Sequence, residues 1–170
     1  MLIYPFILPT PSQVRIESRL RPEQVSTAFA TAADLEVDIA TRIPRKADIV
    51  GSRLRRVAAP YQWPFTDAQL TAAYANETSD IGAADTQEQL ELATEATQLY
   101  TLASLYGSAG QLNKMYFTRS TEYKDEADAI LRNLSDAIKF VRDRLEIQDG
   151  RGEARKSNSG TGSATINAVW

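Results

Sequence analysis

The tightest constraint on this chain lies in its C-terminal half, where three apolar series recur every seven residues between Gln111 and Gln148. Tyr116, Tyr123, Ile130 and Ala137 form one series; Ala127, Leu134 and Val141 the second; Leu131, Ile138 and Leu145 the third. Such a recurrence puts each series on one stripe of an α-helix, and together they make a broad apolar face. At ~1.5 Å per residue the helix would reach roughly 55 Å, more than the width of a domain built from 170 residues. It must either project or break near its start, around Arg119 to Thr121.

A second amphipathic helix precedes it. Leu90, Ala93, Ala96, Leu99, Tyr100, Ala103 and Tyr106 fall at spacings of three and four, and Gly107 and Gly110 supply a stop. Thr86 with Gln89 has the capping-box pattern at its start, as Thr66 with Gln69 has for a helix from about Asp67 to Asn76. Pro60 and Pro64 bracket an aromatic turn, Tyr61-Gln62-Trp63-Pro64-Phe65, after a short helix over Asp48 to Ala59. Leu35, Val37 and Ile39 alternate like a strand, while Leu35, Ile39 and Ile43 fit a helix; Pro44 ends the element in either case. Pro22 suits a helical first turn, with Val25, Phe29 and Ala32 on one face. Val14, Ile16, Ser18 and Leu20 alternate with charged residues, which reads as a short strand at the end of a proline-containing extended arm.

Composition removes much chemistry. The chain has no His and no Cys, so a Ser-His-Asp arrangement, a Cys nucleophile, a disulfide and a zinc-finger site are all excluded. Asp125, Glu126 and Asp128 cluster, and Asp34, Glu36 and Asp38 alternate, but neither set carries the glycine turn and bidentate Glu of a calcium loop. No glycine-rich phosphate cradle occurs. The expectation is therefore no catalytic residue, no metal and no cofactor. Tyr100, Tyr106, Tyr116 and Tyr123 read as core or interface aromatics rather than a stacking platform. The uncharged stretch Ala96 to Asn113 is broken by Thr, Ser, Gly and Gln, so no membrane span is expected, and the apolar N-terminus lacks the basic region of a signal peptide.

A net charge of −3 conceals segregation. Arg42, Arg45, Lys46, Arg53, Arg55 and Arg56 face only Asp48 between positions 42 and 56. Then 57 residues, Val57 to Asn113, hold no Lys or Arg while Glu88, Glu91 and Glu95 accumulate with four further acids. The basic run meets either a nucleic-acid backbone or the acidic surface of a neighbouring copy, or is a solvated helix face. Gly, Ser and Thr dominate after Asp149, ahead of an apolar end containing Ile166, Val169 and Trp170, which suits either a frayed end or a flexible docking arm.

The order of these features resembles the head-tail adaptor (head-completion or connector) proteins of tailed bacteriophages. The likeness is carried by the Tyr-Gln-Trp-Pro turn after basic helical residues, by ELATEATQLYTLASLYGS, and by MYFTRSTEYKDEADAILRNLSDAIKFVRDRLEIQDG, and covers roughly residues 22 to 150. It implies an α-helical protomer in a homo-oligomeric ring, typically of twelve copies, within the neck of a virion assembled in the host cytoplasm. The C-terminal arm would dock on the portal protein, and the opposite face would receive the next neck or tail protein. Double-stranded DNA would pass through the lumen without sequence specificity. The N-terminal arm departs from the commonest pattern.

The expected fold is mainly α: a helical bundle with one long C-terminal helix, extended arms at both ends and room for a short strand or hairpin. The expected organisation is an arm over 1–21, a helical adaptor domain over 22–149 and a docking arm over 150–170. The residues expected to act are the basic flank Arg42, Arg45, Lys46, Arg53, Arg55 and Arg56, the acidic flank Glu88, Glu91 and Glu95, and the portal-docking residues Ile166, Val169 and Trp170. Two rival readings stand beside the non-enzymatic adaptor. One is a small helical regulatory module binding nucleic acid or protein through 42–56; the other is a carboxylate-dependent hydrolase or metal enzyme.

Overall fold

The structure is a computed structural model and describes residues 4–75 and 85–150. Those residues form six α-helices: α1 Pro11–Ser18, α2 Pro22–Val25, α3 Ala32–Ala58, α4 Asp67–Tyr74, α5 Thr86–Leu112 and α6 Met115–Gln148. No strand occurs among the described residues, and the architecture is a helical bundle with one long C-terminal helix.

The strand expected at Val14 to Leu20 is a helix instead. Thr10 caps it by accepting from the Gln13 backbone N–H, Gln13 accepts in return from the Thr10 N–H, and Pro11 takes the first helical position. Val14 and Ser18, one turn apart, are buried, while Ile16 stays largely exposed. Nor does this segment project as an arm. Phe6 packs in the main core 6.1 Å from the Trp63 ring, and Tyr4 places its hydroxyl 2.9 Å from Asp48 Oδ1.

The helix begun by Pro22 stops at Val25, where Ser26 turns extended; Phe29 packs from the connection and Ala32 opens α3. In α3 the alternatives at Leu35 to Ile39 resolve to helix, and Pro44 does not end it. Leu35, Ile39, Ile43, Ala47, Val50 and Leu54 are buried in one continuous phase across the proline. Pro44 removes one helical hydrogen bond to Ala40, an exposed position where water can serve the carbonyl.

The capping box at Thr66 and Gln69 starts α4 as expected. At α5 the cap is Asp85, whose carboxylate accepts from the Glu88 backbone N–H at 2.6 Å. Thr86 is the first helical residue, and its hydroxyl lies 2.8 Å from the Phe65 carbonyl. The expected stop at Gly107 and Gly110 is overturned as well, since α5 continues to Leu112. Gly110 serves close approach: a Cβ there would lie 2.8 Å from Phe117 Cδ2. The long helix is unbroken at Arg119 to Thr121 and runs for 34 residues, roughly 50 Å. Its first buried residue is Ala127, so the opening turns stand away from the main core.

Two cores are strung along the bundle. One joins the second half of α3, α4, the first half of α5 and the second half of α6 through Leu54, Phe65, Leu70, Ala96, Leu134 and Ile138. The other joins α1, α2, the first half of α3 and the second half of α5 through Val14, Val25, Leu35, Ile39, Leu102 and Leu105. α5 therefore runs antiparallel to α3 and α6 and belongs to both cores. Small residues such as Ala93, Ala96, Ala103 and Ala109 suit its central position, and the buried hydroxyls of Thr97 and Thr101 donate to the Ala93 and Thr97 carbonyls.

Candidate functional site

The central helix presents two chemically different faces. At about 100° per residue, Glu91, Glu95 and Gln98 lie on one side of α5, and Tyr100, Ser104 and Gly107 lie about 180° away. A groove opens over each.

The first groove, of about 510 Å³, lies between α5, α1 and the N-terminal segment, with Glu17, Glu91 and Glu95 around Ile7 and Leu99. Thr94 holds the segment down, its hydroxyl 2.8 Å from the Ile7 carbonyl. Gln98 Nε2 donates to Glu17, and Gln87 Nε2 donates to Glu91 Oε1 at 2.8 Å. No Lys or Arg lines this groove. Glu88 stands apart from it, near Tyr74, where its charge adds to the effect of burial in raising the phenol pKa. Of the expected acidic flank, the structure brings Glu91 and Glu95 together and adds Glu17, which the sequence reading did not select.

The second groove, of about 430 Å³, lies among α3, α5 and α6 and is edged by Lys46, Ile49, Lys124 and Asp128. The expected basic flank divides here. Arg42 turns inward: Nε donates to Asp38 Oδ2 at 2.6 Å, and Nη1 lies 2.9 Å from the Ser104 carbonyl and 3.0 Å from Ser108 Oγ. It fastens α3 to α5 and is not available to a neighbour. Lys46 is partly buried, and burial first, then Arg42 and Arg45, lower its pKa. Arg53 Nη1 lies 3.9 Å from Asp128 Oδ1, and Arg55 folds along α3 beside Gly51. Arg45 and Arg56 are exposed. Ile166, Val169 and Trp170 fall outside the described residues.

Four of the clustered carboxylates, Asp34, Glu36, Asp38 and Asp128, have separate tasks. Asp34 accepts from Thr31 at the start of α3, and those hydrogen bonds hold its carboxyl below the usual range. Glu36 accepts from Arg15 Nε at 2.6 Å, Asp38 from Arg42, and Asp128 from the Tyr100 hydroxyl. Burial, with Asp128 beside it, pushes the Tyr100 pKa up to about 12. Among the described residues no three Asp or Glu come together in a group that could hold a metal. Tyr106 is buried, donates to the Ser18 carbonyl at 2.6 Å and packs edge-on against Tyr116 and at a tilt against Tyr123, with ring centroids 5.7 and 5.5 Å away. These are packing aromatics, as their spacing suggests.

The turn between α5 and α6, where Leu112, Met115 and Phe117 are exposed beside Lys114 and Arg119, lies outside the flanks expected from the sequence. Its only local signal is apolar residues outside the seven-residue series. Among the described residues no helix is long and apolar enough to cross a membrane. Comparison with protein-family models, curated proteins and solved structures found no match.

Proposed function

We propose that this chain is a non-enzymatic structural adaptor of a tailed-phage virion, forming a ring that joins the portal to the neck or tail and lets the genome pass. The reading rests on the resemblance of residues 22 to 150, and the observation that supports it most is the two-faced α5. A groove with three carboxylates and no cation lies on one side, and a groove edged by two cations, Lys46 and Lys124, and one carboxylate, Asp128, lies on the other. Unlike flanks on one protomer suit a heterologous contact, which closes into a ring when the rotation permits.

Mass measurement of the chain alone and mixed with a candidate portal tests this. A defined ring-sized assembly on the portal is the expected result; a monomer that ignores every portal offered overturns it. Arg45, Arg55 and Arg56, exposed along α3, favour a second reading as a nucleic-acid-binding module. Under that reading, retention on DNA falls steeply with salt and is lost when Arg45, Arg55 and Arg56 are neutralised.

A further inference from the structure

The end of the α5–α6 hairpin combines features that a solvated turn does not need. Leu112, Met115 and Phe117 are 54%, 76% and 56% exposed, three of the eight large exposed apolar side chains among the described residues within six positions. Lys114 and Arg119 sit among them, and no Asp or Glu occurs between Glu95 and Glu122. Phe117 lies across Gly110, where the absence of a Cβ lets the ring rest on α5, so part of the apolar surface is held in place before any partner arrives.

The acidic groove has the complementary character. Ile7, 80% exposed, supplies apolar surface over a floor that includes the buried Leu99, Glu17, Glu91 and Glu95 supply charge, and no Lys or Arg lines the groove to neutralise it. Its volume of about 510 Å³ is in the range of clefts that take in a substantial side-chain cluster. A copy cannot fill its own groove with its own hairpin end. Thr94 in the groove and Asn113 at the turn are separated along α5 by roughly 28 Å of helical rise.

We infer that the hairpin end of one copy docks in the acidic groove of a second copy. Met115 and Phe117 meet Ile7, Lys114 meets Glu91 and Glu95, and Arg119, whose guanidinium also reaches the Tyr106 hydroxyl, adds its charge toward Glu17. The contact uses different surfaces on the two partners and so propagates head to tail. It rests on the adaptor reading's requirement for contact between copies, and replaces the α3 cations with the hairpin as the counterpart of the acidic face. Arg42 is fastened inside the protomer and Arg53 lies beside Asp128, which leaves Arg45, Arg55 and Arg56 as the exposed cations of α3.

The absence of native cysteine makes the test direct. Full-length Ile7→Cys and Met115→Cys variants are mixed at high concentration and mildly oxidised, with circular dichroism confirming that each remains folded. The mixed disulfide should form about tenfold faster than either homodimer, fall to the homodimer rate when Lys114→Glu and Arg119→Glu are added to the Met115→Cys chain, and recover when the Ile7→Cys chain carries Glu91→Lys and Glu95→Lys. Equal rates for mixed and like pairs, or a mixed rate insensitive to charge reversal, overturn the inference. Rings on a portal that lack the mixed disulfide overturn this contact and leave the adaptor reading standing. A mixed disulfide from a chain that assembles on no portal supports the contact and removes the adaptor reading.

Discussion

Trp63 donates its indole Nε1–H to Gln89 Oε1 at 3.0 Å, and both side chains are buried. The bond ties the aromatic turn to the first part of α5, where an unpaired polar group would have no water to turn to. Gln89→Leu should therefore cost about 1–3 kcal/mol, because the indole N–H loses its acceptor in the interior. Trp63→Phe with Gln89→Leu should recover part of that loss. Urea unfolding of the two single variants and the double variant closes the cycle, and additive effects would show that the bond contributes no coupling.

Arg42 predicts a second loss. Arg42→Ala removes a cation from Asp38 and a donor from the Ser104 carbonyl together. The expected cost is about 1–3 kcal/mol, read as a lower urea midpoint with an unchanged slope. Arg42→Lys should recover little, because one ammonium cannot reproduce the fork that meets both helices.

The Tyr100 phenol carries a pH prediction. Its pKa in the folded chain, about 12, stands above the ordinary tyrosine value of 10.0, because burial and Asp128 both disfavour the phenolate. The resulting stabilisation is complete below pH 10 and is lost as pH rises through about 12. Tyrosinate absorbance should show a late-ionising phenol that disappears in Tyr100→Phe, and that variant should lose less stability over the same alkaline window.

Gly110→Ala separates fold from docking. The added methyl gains about 1 kcal/mol of helix propensity but displaces the exposed Phe117 ring, so the melting temperature should move little. Mixed disulfide formation between Ile7→Cys and Met115→Cys chains should nevertheless slow. An unchanged rate would show that Phe117 is not held for contact.

Local signals were legible in the sequence wherever their partners are local. Thr66 and Gln69 cap α4 because both halves of the motif lie within one turn. Thr86 and Gln89 carry the same pattern, yet Asp85 takes the cap and Gln89 is drawn to Trp63, 26 positions away. Pro44 and Gly110 read as stops because their intrinsic preferences oppose helix; burial on either side of Pro44 and the Phe117 contact at Gly110 overrule those preferences. The Val14 to Leu20 alternation was too short to distinguish a strand from two helical turns. Of the candidate site, Glu91 and Glu95 were visible as a charge pattern. The groove was not, since Ile7 and Glu17 reach it only after the N-terminal segment folds back onto α5.

The opposed faces of α5 also limit how this chain can change. Removing Leu99 alone would turn Tyr100, Ser104 and Gly107 by about 100° relative to Glu91, Glu95 and Gln98, putting both grooves out of phase with α1, α3 and α6. Substitution can alter either groove independently, but a single-residue insertion or deletion between them disturbs both at once. The length of α5 is thus under stricter constraint than its composition, and drift between related chains should spare its residue count even where few of its side chains are shared.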